Sequence, residues 1–279
     1  MCDMSKFYIA ICALVLLICN ACQDNTIDWE NQSGELTTRS VDLKFQHLIQ
    51  QARSGDADAY KSLAICYRDG NGVDKSWLNM VCMYANYCKK TGNDIDKVVE
   101  LFDEGHPFRI FTDILNSSMQ DDEFMERLDV LEQDVPAEVK AIKAAYELDS
   151  GEDSEMVLNT LREAEDEGSE FAVLFQIVYY EEEGMKDEYE QSLIRLAEKY
   201  PFFYLKIGEL FIEKYWESKD FSDIQKAVEY YYKADANAML TPRYASGLIN
   251  IYKYFGEKGL LNCDEAEMDR LKKIANIKD

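Results

Sequence analysis

From Val41 onward, apolar residues recur at spacings of three and four, and turn signals break the pattern every ten to twenty residues. Long runs of alternating β-branched residues are missing. The pattern therefore predicts an all-α chain of short amphipathic helices. Pro107, Pro136, Pro201 and Pro242 each open an apolar-periodic run. Proline is tolerated in a first helical turn, where its missing N–H had no partner. Thr241 is placed to cap the helix at Pro242, and Ser222 with Gln225 has the spacing of a capping box. Gly55, Gly92, Gly105, Gly151, Gly168, Gly184 and Gly259 follow helical runs, as expected of left-handed caps.

Parts of these helices recur. "QKAVEYYYKADANA", Gln225 to Ala238, shares a design with "SEMVLNTLREAEDEG", Ser154 to Gly168, and "WLNMVCMYANYCKKTG" at Trp77 to Gly92 is a looser copy. A second helix type shows "AYKSLAICY" and "FYLKIGELF", where Ala64 or Gly208 lets a neighbouring helix approach closely. A thin helix pair cannot bury its apolar face alone, so stacked pairs are expected to share a continuous core.

Between two of these helices lies "YRDGNGVD", Tyr67 to Asp74. A phosphate loop would need a third glycine or a Gly-Lys-Ser/Thr ending, and Gly72 leads only to Val73-Asp74-Lys75. A calcium loop starting at Asp69 would need an oxygen ligand at Val73, glycine at Asp74 and glutamate at Met80. The remaining reading is a corner, with glycines at positive φ and Val73 tucked back between two helices.

The stretch Gly55 to Gly92 resembles a Sel-1-like repeat, a branch of the tetratricopeptide-like helical repeats. Ala59, Leu63, Tyr67, the Gly70-x-Gly72-Val73 corner, Tyr84 and Gly92 carry the likeness. Lys226, Ala227, Tyr230, Tyr231, Lys233 and Ala234 match the second-helix motif, although "ESKDFSD" replaces the glycine corner there. The resemblance implies an α–α superhelix of stacked antiparallel hairpins over 41–279. The clearest repeat is 55–92, degenerate repeats occupy 93–150, and further repeats fill 151–279. Gly70, Gly72, Val73 and Gly92 become repeat-turn residues. The resemblance also implies a scaffold that holds a protein or peptide and needs no cofactor.

The N-terminal segment has a different pattern. Phe7 through Cys19 is a run of thirteen apolar residues behind Lys6, which is the length of a signal-peptide core. It ends in "CNAC", which resembles the lipobox of bacterial lipoproteins. That resemblance implies a leader over 1–21, lipid attachment at Cys22, and residence in a bacterial envelope. The polar, aperiodic stretch 22–40 then reads as a flexible tether. Gln23 after the cysteine favours the outer membrane by the same resemblance. An ordinary cleaved signal peptide is the alternative.

Charge narrows the partners. The chain has 279 residues and a net charge of −24, from 54 acidic and 30 basic side chains. Such a field repels phosphate backbones, so nucleic acid is not expected as a partner. Cys66, Cys82, Cys88 and Cys263 lie in the body of the chain, and Cys66 and Cys82 fall on consecutive helices. Buried free thiols and a Cys66–Cys82 disulfide both fit an oxidising envelope.

Candidate chemistry is sparse. His47 and His106 have no partner histidine at metal spacing, and no Gly-x-Ser-x-Gly elbow occurs. No enzyme, metal or small-molecule substrate is therefore expected. Rings concentrate in "KYPFFYLKIGELFIEKYW", in Tyr179-Tyr180 and in Tyr230 to Tyr232. Tyr180, Tyr204 and Tyr231 are the candidate partner-binding aromatics. Neighbours on a helix lie about 100° apart, so at least one tyrosine in each cluster should be partly exposed. A peptide-binding scaffold is the first expectation, a glycan-binding surface lipoprotein is the second, and a carboxylate-based envelope enzyme is the third.

Overall fold

The computed structural model describes residues 38–104, 108–110, 121–149 and 154–277. Cys22, the leader 1–21 and most of the tether lie outside the described residues, as do Gly105, His106, Pro107 and Gly151. Among the described residues there are helices and no strand. The all-α expectation is met. No helix among them is long and apolar enough to cross a membrane.

The helices run in chain order as α1 (Thr38–Arg53), α2 (Ala57–Asp69), α3 (Trp77–Thr91), α4 (Asp121–Leu131), α5 (Pro136–Asp149) and α6 (Ser154–Asp166). They continue as α7 (Glu170–Glu182), α8 (Lys186–Leu196), α9 (Phe203–Ser218), α10 (Phe221–Ala236), α11 (Pro242–Gly256) and α12 (Glu265–Ile274). A 3₁₀ segment, Ile95–Leu101, follows α3. Helix α1 begins at Thr38, three residues ahead of the expected domain start at Val41.

The described residues form two compact units. One comprises Asp96–Tyr189; the other is built from the stretches 38–95 and 190–277, so the division falls inside α8.

In the unit Asp96–Tyr189, α5 pairs with α6 and α6 with α7. Leu128, Val139, Ile142, Val157, Leu161, Ala164 and Ala172 are fully buried there. Burying each Leu, Ile or Val contributes about 1.5–3 kcal/mol. Lys140 bridges to Glu163 and Glu167 at 3.1 and 2.9 Å, and Lys143 to Asp129 and Glu132 at 2.7 and 2.8 Å. The Glu138 carboxylate accepts from the backbone N–H groups of Glu170 and Phe171 at 3.1 and 3.2 Å and from the Ser169 hydroxyl. A carboxylate from α5 thus satisfies orphan donors at the positive end of α7.

In the other unit the tight pairs are α2 with α3 and α9 with α10. Asp56 caps α2 and Ser76 caps α3 through side-chain acceptors. Thr241 occupies the N-cap of α11, with Pro242 in the first turn, but makes no side-chain cap bond. The Ser222–Gln225 box is not used: Asp220 is the N-cap of α10 and accepts from Ser222 N–H at 2.9 Å. Gly208 of α9 has the close approach foreseen for it. A Cβ there would stand 2.4 Å from Cε1 of Tyr231 on α10.

Ion pairs join the two stretches of this unit. Asp235 of α10, only 1% exposed, accepts from Arg53 of α1 at 3.2 and 2.9 Å. It also accepts from Arg270 of α12 at 3.0 and 2.9 Å. Arg270 further donates to Glu267 at 2.7 Å. Asn79 Nδ2 donates to the Lys199 carbonyl at 3.0 Å, and Lys90 Nζ to the Ile274 carbonyl at 3.4 Å.

Candidate functional site

The corner residues come first in the chain. Gly70 and Gly72 take φ of +75° and +76°, a region open to glycine with little strain. The Gly70 N–H returns to the Cys66 carbonyl at 2.9 Å, and the Ser76 N–H to the Tyr67 carbonyl at 3.0 Å. Val73 is half-buried in the same turn. Gly92, φ +77°, closes α3 by donating to the Cys88 carbonyl. The Asn71 N–H also returns to the Cys66 carbonyl, at 3.0 Å, so the turn is tied to the end of α2.

Two of the three candidate aromatics are withdrawn from solvent. Tyr180 is 4% exposed, with its hydroxyl accepting from Arg162 at 3.3 Å. Tyr231 is 2% exposed because its ring fills the space over Gly208. Burial drives its hydroxyl well above the ordinary tyrosine range. Neither ring is available to a partner in this structure. Tyr179 and, in the other cluster, Tyr230 and Tyr232 are the partly exposed members.

Tyr204 remains partly exposed and belongs to a larger arrangement. Its ring stacks on Tyr230 with centroids 6.1 Å apart, and Tyr230 stacks on Phe211 at 5.7 Å with planes only 7° apart. Tyr204 and Phe211 lie seven residues apart on α9, and Tyr230 faces them from α10. Lys233 Nζ stands 4.6 Å from the Tyr230 centroid; Lys214 and Lys226 stand 4.9 and 5.0 Å from that of Phe211. Lys214 is also held by Glu190 at 2.6 Å, and Lys233 by Glu229 at 2.9 Å. Burial, followed by the charge of Glu198, raises the Tyr204 hydroxyl above its ordinary value. The result is a row of rings edged by ammonium groups along one face of the α9–α10 hairpin.

Comparison with protein-family models, curated proteins and solved structures gave no match.

The lysines of this face were absent from the expected site. Their signal was present, since Lys226, Tyr230 and Lys233 recur at helical spacing opposite Tyr204, Phe211 and Lys214. Elsewhere, His47 is exposed on α1 and His106 lies outside the described residues. Cys66, Cys82 and Cys88 are buried free thiols, and Cys263 is a partly exposed one. Burial raises the Cys66 thiol above its ordinary value, which lowers its reactivity. Among the described residues, no group of three or more His, Cys, Asp or Glu is placed to hold a metal ion.

Proposed function

We propose that the chain is a membrane-anchored helical-repeat scaffold of a bacterial envelope that holds a protein or peptide partner. In this reading its helix pairs are Sel-1-like, tetratricopeptide-like hairpins that wind into an α–α superhelix. Cys22 carries the lipid and places the chain at the outer membrane. The observation that carries the reading is the ring-and-lysine row, in which Tyr204 and Tyr230 stay partly exposed over a buried Phe211 after α9 and α10 have paired. Rings supply apolar contact area at low entropic cost, and flanking ammonium groups orient carboxylate or aromatic side chains of a partner. The reaction class is binding, without turnover.

A glycan is the second reading, because exposed rings also stack on sugar faces. The stacking of Tyr230 against both Tyr204 and Phe211 favours the peptide, since faces that already meet one another are not free for a pyranose. Photo-crosslinking from position 204 in the anchored full-length chain separates the two. Discrete protein adducts support the scaffold. Oligosaccharides that quench tryptophan emission with no protein adduct overturn it. Replacing Cys22 with serine is expected to release the chain from membranes on fractionation, and unchanged association would remove the anchor from the reading.

A further inference from the structure

At the far end of the same hairpin, three large side chains that normally avoid water face it. Trp216 is 62% exposed, Tyr254 48% and Leu260 49%. The two rings are linked through an aromatic cluster. Trp216 meets Tyr215 at 5.5 Å, Tyr215 meets Phe255 at 5.5 Å, and Phe255 meets Tyr254 at 4.9 Å. Leu260 follows α11 in a turn whose N–H returns to the Phe255 carbonyl at 3.0 Å, with Gly259 at φ +70°. In such helix-ending turns the residue at this position usually packs back onto the helix. Here it is half exposed instead.

Charge at this end differs from the rest of the chain. Lys219, Lys253 and Lys258 face Glu217, Asp220, Asp223 and Glu257, so the segment is close to balanced within a chain of net charge −24. Two of the lysines stand against the rings: Lys219 Nζ is 4.4 Å from the Trp216 centroid, and Lys258 Nζ is 3.8 Å from that of Tyr254.

We infer that this end of the unit is a lipid-facing patch, seating Trp216, Tyr254 and Leu260 in the headgroup layer of a bilayer. Tryptophan and tyrosine concentrate at membrane interfaces, where an apolar ring and a polar edge are both accommodated. Leucine adds buried area, and lysine stems lie along apolar surface while their ammonium groups meet headgroup phosphates. Near-balanced charge suits a zwitterionic layer, which the acidic remainder of the chain does not repel as it would an anionic one. A protein occupant would cover the same rings; the charge balance and the exposed Leu260 favour the bilayer. The patch does not depend on lipid at Cys22, because it would touch the bilayer through the folded unit itself.

The test uses the full-length chain reconstituted into phosphatidylcholine vesicles with plain or brominated acyl chains. The difference between wild type and Trp216→Phe isolates the emission of Trp216 from the other tryptophans. The patch predicts that Trp216 emission shifts to the blue on plain vesicles and loses intensity on brominated ones. Leu260→Asp, at an exposed position that leaves the core intact, is expected to reduce both effects. Equal Trp216 emission on the two kinds of vesicle overturns the proposal, even if the chain is held by its N-terminus. Failure to associate with vesicles overturns it too, as does quenching that Leu260→Asp leaves unchanged. Photo-crosslinks from position 216 that reach protein and never lipid would assign the patch to a protein partner instead.

Discussion

A methyl group at position 208 would stand 2.4 Å from the Tyr231 ring, well inside contact distance. The ring is 2% exposed and stands between α9 and α10, so it has little room to retreat. Gly208→Ala is therefore expected to destabilise the protein by about 1–3 kcal/mol through overpacking, read as a lower urea midpoint at constant slope. An unchanged midpoint would mean that the two helices are not in close contact. Sequence spacing made the small residue visible, because "FYLKIGELF" puts Gly208 where an aliphatic face would otherwise continue. It did not reveal which tyrosine fills the gap. In the run Tyr230 to Tyr232 all three rings are chemically alike, and only the pairing of α9 with α10 selects Tyr231 for the core. Tyr180 was hidden for the same reason, since its contact with Arg162 needs the α6–α7 pairing.

At the scale of the element, helix ends separate what is local from what is not. Asp220 outcompetes the expected box at the start of α10 because "DFSD" offers three capping side chains within four residues, and Asp220 reaches the Ser222 N–H. The start of α7 has a local cap in Ser169, whose Oγ accepts from the Ala172 N–H at 3.0 Å, and adds Glu138, which is 31 residues from Ser169 and carries no sequence signal. Glu138→Gln keeps the shape but removes the charge that faces the α7 N-terminus. It is expected to cost about 1–2 kcal/mol, read as a lowered thermal midpoint. Helix α12 has an acid-sensitive attachment. Burial pushes the Glu267 carboxyl up, but the hydrogen bonds and charge of Arg270 outweigh it and hold the group below its ordinary value. A depressed carboxyl adds stability above its unfolded value of about 4.3 and loses it as pH falls through the lower folded one. Stability should therefore decline more steeply between about pH 5 and about pH 3 in wild type than in Glu267→Gln. Equal slopes in urea titrations at those pH values would show that this pair contributes nothing.

For the whole molecule, helix content and hairpin pairing were legible because both depend on short-range periodicity and turn residues. The division into two units was not legible. One unit joins stretches far apart in the chain, with Asp235 meeting Arg53 across 182 residues, and no repeat pattern encodes contacts between such distant positions. The ring-and-lysine row was half legible: its tyrosines stood out, whereas Lys226 and Lys233 read only as part of a repeat motif until α9 and α10 were paired. We propose that this row binds a protein. The most direct measurement is quantitative co-purification with the full-length chain, comparing wild type with Tyr204→Asp. A protein is expected in fixed ratio with wild type and depleted with the variant, while both chains stay equally folded. The same proteins recovered with both chains, or tight oligosaccharide binding to wild type without any such partner, would contradict it.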